Sequence, residues 1–184
     1  MAPAEVSDQH IIDLYKSNQH EEAFRLLIAK YQSRLYWHIR KLVISHDDAD
    51  DLVQEVFVKI WQNLSKFRGD ASLFTWVYRI ATNETLTFLR KNNKRKTVSI
   101  DSDDLNWDNY LASDSYFNGS EIEKRLHASV QTLPEKQRLV FQMKYFEEMK
   151  YEEISEVLKV SVGSLKASFH HAVKKIETIF EKEL

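Results

Sequence analysis

Apolar residues recur along most of this chain at intervals of three and four, the period of an α-helix, and only three glycines and two prolines interrupt them. The pattern predicts helices near residues 8–17, 21–44, 48–64 and 72–92, and a second set near 121–131, 135–146, 151–158 and 162–182. Pro134, directly after Leu133, stands where a helix tolerates a missing N–H, in its first turn. Ser161 precedes a periodic run as an N-cap. Between 97 and 120 the period lapses into Ser, Asp and Asn, a composition that suits a linker. The fold class expected is all-α, with two small helical domains, residues 1–96 and 121–184, joined by residues 97–120. Ile100, Leu105, Trp107, Tyr110, Leu111, Tyr116 and Phe117 give that linker more apolar surface than an inert spacer carries. Docking on a partner or on the domains explains them; local loop packing explains them equally well.

Three segments separate their faces in a way that bears on chemistry. In the helix near 48–64, Leu52, Val53, Val56, Phe57, Ile60, Trp61 and Leu64 cover about half the circumference. Asp48, Asp51, Glu55, Lys59 and Gln62 are left outward, with Gln54 beside them. The helix near 72–92 sets Leu73, Phe74, Val77, Ala81 and Phe88 against Trp76, Arg79, Asn83, Thr87, Arg90 and Lys94. One side suits packing and the other a polyanion, and a polar loop hinged on Gly69 leads into it. Trp76 fits either a stacking platform or a partly buried core position. Residues 151–176 have the layout of a helix-turn-helix. Leu165, Phe169, Ala172, Val173, Ile176 and Phe180 form one arc of its second helix. Ser164, Ala167, Ser168, His170, His171, Lys174 and Lys175 form the other, with Lys166 near its edge.

Composition narrows the chemistry. The absence of cysteine excludes disulfides, thiolate zinc sites and a cysteine nucleophile. No HExxH, Glu-x-x-His pair, phosphate-cradling glycine loop or nucleophile elbow occurs, and the adjacent His170 and His171 point apart on a helix. No catalytic residue, metal site or cofactor is therefore expected. With no apolar run of about eighteen residues and no export signature at the N-terminus, the expected location is cytoplasmic, without membrane insertion. The net charge of −2 hides an uneven distribution: residues 20–96 carry +5, 97–123 carry −7, and 124–184 carry +2. Two mildly basic blocks flank an acidic bridge.

Taken together, the two modules resemble the extracytoplasmic-function sigma factors, the small two-domain initiation subunits of bacterial RNA polymerase. The resemblance rests on DDADDLVQEVFVKIW (47–61), FRGDASLFTWVYRIATN (67–83), LPEKQR (133–138), YEEISEVL (151–158) and SVGSLK (161–166), and covers roughly residues 20–95 and 121–180. It implies that Asp48, Asp51, Gln54, Glu55 and Lys59 dock on the polymerase core. It further implies that the loop Phe67, Arg68, Gly69, Asp70, Ala71 and Ser72 forms a pocket for a flipped base of the melted minus-ten element. Trp76 and Asn83 would meet bases there, while Arg79, Arg90, Lys91, Lys94 and Arg95 neutralise the backbone. In the duplex minus-thirty-five element, Ser164, Lys166, Ala167 and Ser168 would lie near base edges and His171, Lys174 and Lys175 near phosphates, with Ser161 and His170 on the same DNA-facing surface. Members of the family usually carry further arginines where this chain has Ala167, Ser168, His170 and His171, which implies a weaker duplex grip. An anti-sigma protein is a further implied partner. Two other readings remain open: a helix-turn-helix regulator that never joins polymerase, which leaves the N-terminal module unexplained, and a helical adaptor that binds only proteins.

Overall fold

The structure, a computed structural model of the chain, describes residues 6–43, 45–98 and 120–181, with the backbone alone for 93–98. All regular elements among the described residues are helical, and the chain divides into two compact units between Asn92 and Asn93. The linker residues 99–119, with the apolar residues named within them, lie outside the described residues.

The first unit holds α1 (Asp8–Lys16), α2 (His20–Val43), α3 (His46–Asn63), a 3₁₀ turn (Leu64–Lys66) and, as far as Asn92, α4 (Leu73–Val98). Serine hydroxyls start α1 and α3: Ser7 Oγ accepts from His10 N at 3.2 Å, and Ser45 Oγ from Asp48 N at 3.3 Å. Acidic first turns at Asp8 and at Asp47 and Asp48 complement the helix dipoles. Asn18, with φ at 62°, turns the chain from α1 into α2. Leu27, Leu35 and Ile39 of α2, Val56 and Ile60 of α3, and Val77 and Ala81 of α4 are fully buried. Two polar ties join these elements inside the fold. Asp8 accepts from Lys30 Nζ at 2.6 Å and from the buried Tyr31 hydroxyl at 2.8 Å, fastening α1 to α2. Burial, and then the Asp8 carboxylate beside it, hold the Tyr31 phenol proton far above its ordinary range. His38 Nε2 and Thr82 Oγ1, both buried, lie 3.0 Å apart and join α2 to α4.

The second unit holds α5 (Glu121–Gln131), α6 (Glu135–Phe141), a π turn (Gln142–Phe146), α7 (Tyr151–Leu158) and α8 (Val162–Glu181). Ser120 and Glu123 form a reciprocal capping box at the start of α5. Pro134 is the N-cap of α6, one position earlier than the sequence suggested. Val130, Leu133, Phe141, Ala172 and Ile176 make a core, with Leu126, Phe146, Phe169, Val173 and Phe180 packed around it.

Two expected boundaries differ. The helix near 72–92 continues to Val98, so residues 97 and 98 belong to α4 rather than to a linker. The helix expected over 135–146 is α-helical only to Phe141 and then widens, with Glu147 N bonding Gln142 O at 3.3 Å. The wider turn accommodates three rings: Phe141 stacks on Tyr145 at 5.0 Å, meets Phe146 edge-on at 5.9 Å, and leaves Phe146 parallel to His127 at 4.6 Å.

Removing the carboxylate in Asp8→Ala leaves the buried Tyr31 hydroxyl without its acceptor, and the first unit is expected to lose about 1–3 kcal/mol. Urea unfolding read by tryptophan fluorescence reports on this unit, which contains Trp37, Trp61 and Trp76; an unmoved transition would show that the bond does not hold α1. In the second unit, Lys159 ends α7 with φ at 57°, a left-handed conformation that costs a side chain about 1 kcal/mol. Lys159→Gly is expected to raise the denaturation midpoint of that unit in far-UV circular dichroism; a lower midpoint would contradict the strain.

Candidate protein-docking and nucleic-acid interfaces

On α3, the buried arc is the one expected, except that Trp61 stays 45% exposed with its ring 4.8 Å from Phe24. Asp51, Gln54, Glu55 and Lys59 are exposed and Asp48 is half-buried. Lys59 forms an ion pair with Glu84 of α4. The strip therefore presents Asp48, Asp51 and Glu55 outward while its own cation faces a neighbouring helix. Val58, 54% exposed, sits within the strip, three residues from Glu55 and four from Gln54. The sequence reading placed Val58 on neither face. The signal was an apolar residue at a polar position, and the result is a negatively charged surface with an apolar centre.

Between the 3₁₀ turn and α4, Gly69 has φ at 81°, where a side chain would be strained. Arg68, Gly69 and Asp70 are exposed, and Ala71 is half-buried. Phe67 N bonds Leu64 O at 3.1 Å, and the Phe67 ring meets Trp76 edge-on at 5.4 Å. Trp76 is thus half-buried and packed on the first residue of the loop, an intermediate between the two roles considered for it. The Ser72 hydroxyl caps α4, accepting from Thr75 N at 3.1 Å and donating to Thr75 Oγ1 at 2.9 Å. Ser72 therefore shapes the loop through its backbone turn while its side chain serves the helix. On α4 itself, Asn83, Thr87, Arg90 and Lys91 are exposed, and Arg79 is half-buried. Leu73, Val77 and Ala81 are buried as expected, joined by Thr75, Tyr78, Thr82 and Thr85, which apolar periodicity does not mark. The side chains of Lys94 and Arg95 lie outside the described residues.

Lys159 and Val160 connect α7 to α8, and Ser161 caps the second helix, its carbonyl accepting from Leu165 N at 3.0 Å and its hydroxyl from Ser164 N at 3.4 Å. Leu165, Ala172 and Ile176 are buried. On the other side Ser161, Lys166, Ala167, His170, His171, Lys174 and Lys175 are exposed, and Ser164 and Ser168 are half-buried. Cations gather here from other elements as well. Lys136 of α6 donates to Ser164 Oγ at 3.0 Å. Lys144 and Lys166 lie 5.1 and 5.8 Å from the centroid of the Tyr151 ring, whose phenol pKa is raised by burial. His171, Lys174 and Lys175 share an open groove of about 350 Å³ with Thr132, Thr178 and Ile179. Lys136 and Lys144 were not named in the sequence reading, because nothing local marks a partner on another helix. The His170 and His171 rings are 6.1 Å apart and tilted by 54°. Among the described residues no group of three or more His, Asp or Glu side chains could hold a metal ion, and no helix is long and apolar enough to cross a membrane.

Comparison with known proteins covers the same two units. Residues 27–95 match the family described as Sigma-70 region 2, and residues 123–176 match Sigma-70, region 4. The chain is 30% identical over 178 residues to the RNA polymerase sigma-H factor of Pseudomonas aeruginosa, with 92% of each chain covered. It is 26% identical over 181 residues to the ECF RNA polymerase sigma-E factor of Haemophilus influenzae, covering 94% of this chain and 95% of that one. A solved structure of the sigma factor RpoE in complex with the anti-sigma factor NepR from Bartonella quintana aligns at 21% identity and a TM-score of 0.69, covering 86% of this chain and 96% of that one, a likeness of fold. The two matched regions, in this order and over nearly the whole length of these relatives, place the chain in the extracytoplasmic-function family of RNA polymerase sigma factors.

Proposed function

We propose that the chain is a dissociable subunit of bacterial RNA polymerase that directs promoter-specific initiation in the cytoplasm and forms no bond itself. Its N-terminal domain, residues 1–96, binds the core enzyme and captures melted minus-ten DNA, and its C-terminal domain, residues 121–184, engages duplex minus-thirty-five DNA. The acidic stretch that follows α4, residues 99–120, spans between them, a charge that keeps the linker off DNA and suits a basic channel. The observation that carries this reading is the division of α3. The helix seals one arc into the core while holding Asp51, Glu55 and Val58 outward, immediately before an open glycine-hinged loop and a helix with exposed Asn83, Arg90 and Lys91.

Each part has a physical task. A negative strip with an apolar centre complements a basic partner surface, setting encounter rate and register. The Asn83 amide both donates and accepts, as a base edge requires, and the loop offers backbone groups and the Phe67 ring. The exposed arc of α8 faces the major groove with its N-terminal residues near base edges. An anti-sigma protein is a third partner class, since inhibition would require covering the same faces.

Run-off transcription with core polymerase on genomic fragments tests the whole reading, and no initiation from any fragment would sink it. Asp51→Lys combined with Glu55→Lys is expected to weaken co-purification with core polymerase by about tenfold or more, since charge reversal sets like charges face to face; undiminished binding would remove the α3 strip from the interface. Asn83→Ala, at an exposed position, is expected to leave core binding unchanged and to lower initiation from duplex promoters by about tenfold, the cost of one base contact. A variant that initiates as well as wild type would exclude Asn83 from base capture.

A further inference from the structure

The bond between His38 of α2 and Thr82 of α4 divides the surface around it into two sides. With successive residues 100° apart on each helix, Leu35, Ile39 and Leu42 of α2 and Tyr78, Ala81 and Thr85 of α4 lie toward one side, and all are buried. Arg34, Trp37 and Lys41 of α2 and Arg79 and Asn83 of α4 lie toward the other. There Arg34, Trp37 and Asn83 are exposed, and Lys41 and Arg79 are half-buried. Trp37 and Asn83, each next in sequence to a member of the tie, therefore flank the same outer seam. The α4 half of that seam carries the base contact proposed above, and the α2 half has a matching chemistry.

The Trp37 side chain is 37% exposed, and its ring is backed from within the fold. Tyr36 meets it edge-on at 5.2 Å, and the Tyr36 hydroxyl lies 2.7 Å from His46 Nδ1 at the start of α3. His46 Nε2 lies 3.3 Å from Asp50 Oδ2. A neutral His46 satisfies both neighbours, Nδ1 accepting the phenol proton and Nε2–H directed at the carboxylate. The indole thus stands at the surface against a ring that is anchored on another helix. Charge around it has one sign: residues 23–45 hold five Lys or Arg and no Asp or Glu. The single acid in the sequence of α4, Glu84, is paired with Lys59. Arg34 and Lys41, seven residues apart, stand about 10 Å from each other along α2 with Trp37 between them.

We infer that the melted strand held at α4 crosses the seam onto α2, where a second unpaired base stacks on Trp37 and its flanking phosphates meet Arg34 and Lys41. The inference rests on the capture of melted DNA proposed for the N-terminal domain, and extends that capture from one helix to two. An aromatic ring between cations suits single-stranded DNA, the ring taking a base and the cations its backbone. Every base has a π face, so this platform adds hold without adding sequence preference. A base still stacked in a duplex has no face to offer, so the contact favours the open promoter over the closed one.

The experiment uses the full chain assembled with core RNA polymerase, and measures retention on promoter fragments melted over the minus-ten region, with one abasic nucleotide placed at each position of the captured strand in turn. Trp37→Leu is expected to weaken retention on the intact strand by about tenfold, and Trp37→Phe, which still stacks, by about twofold or less. At one abasic position the wild type should lose the same factor and Trp37→Leu nothing further. That position should accept all four bases about equally, and should differ from the one coupled in the same way to Asn83→Ala. Arg34→Gln combined with Lys41→Gln is expected to lower the slope of log affinity against log salt by about 1.4, the value for two single-strand phosphates. Trp37→Leu losing the same factor at every position, or weakening association with core polymerase in the absence of DNA, would make Trp37 a packing or protein contact and overturn the inference. Coupling of Asn83 to a position while Trp37 couples to none would overturn it alone; coupling of neither would overturn the capture of melted DNA as well.

Discussion

The seating of α3 against α2 governs what the N-terminal half presents to a partner. Leu27, Leu35 and Ile39 on one helix, and Leu52, Val56 and Ile60 on the other, are closed to solvent. A turn of α3 by one residue, about 100°, would carry Asp51 or Glu55 toward that core. An ionised carboxylate buried without a partner is far more costly than any gain from a different fit. The apolar arc thus determines the direction of the acidic strip, and the charges need no contact of their own to hold them there.

The placement of α4 depends on the same pair through polar bonds. Thr82 turns inward to His38, and Lys59 reaches out to Glu84. Asn83, the residue between, is consequently directed outward. The side of this helix that carries Asn83 is aimed by the two ties that bracket it. In the C-terminal half the core around Phe141, Ala172 and Ile176 plays the corresponding part for α8.

Much of this was legible in the chain. The arcs of α3 and α8 and the turn at Val160 and Ser161 are written in local periodicity, and apart from the ends of α4 and α6 the observed helices lie close to where that periodicity put them. Periodicity failed where a residue's setting depends on something distant. His38, Thr82 and Thr85 are polar in sequence and buried in the fold, since their partners satisfy them inside. Lys136 meets Ser164 only after α6 and α8 have packed. Trp76 had two readings because its exposure is set by Phe67, which approaches from the loop. Val58 was legible in principle: an apolar side chain among acids on an outward face has no folding reason to be there.

The π turn at Gln142–Phe146 carries a consequence for the direction of the chain. A turn of this kind accommodates more residues than an α-turn, and here the surplus sets an angle rather than a distance. Wound as regular α-helix at the same chain length, the stretch would shift the phase of the downstream residues by about 100°. Met149, buried and with its N–H bonded to Met143 O at 3.0 Å, would leave its seat, and the helix-turn-helix behind it would start from another heading. Side chains in this stretch can be exchanged for others of similar volume, but the width of the turn behaves as a gear tooth: narrowed at the same chain length, it would turn the helix-turn-helix that follows.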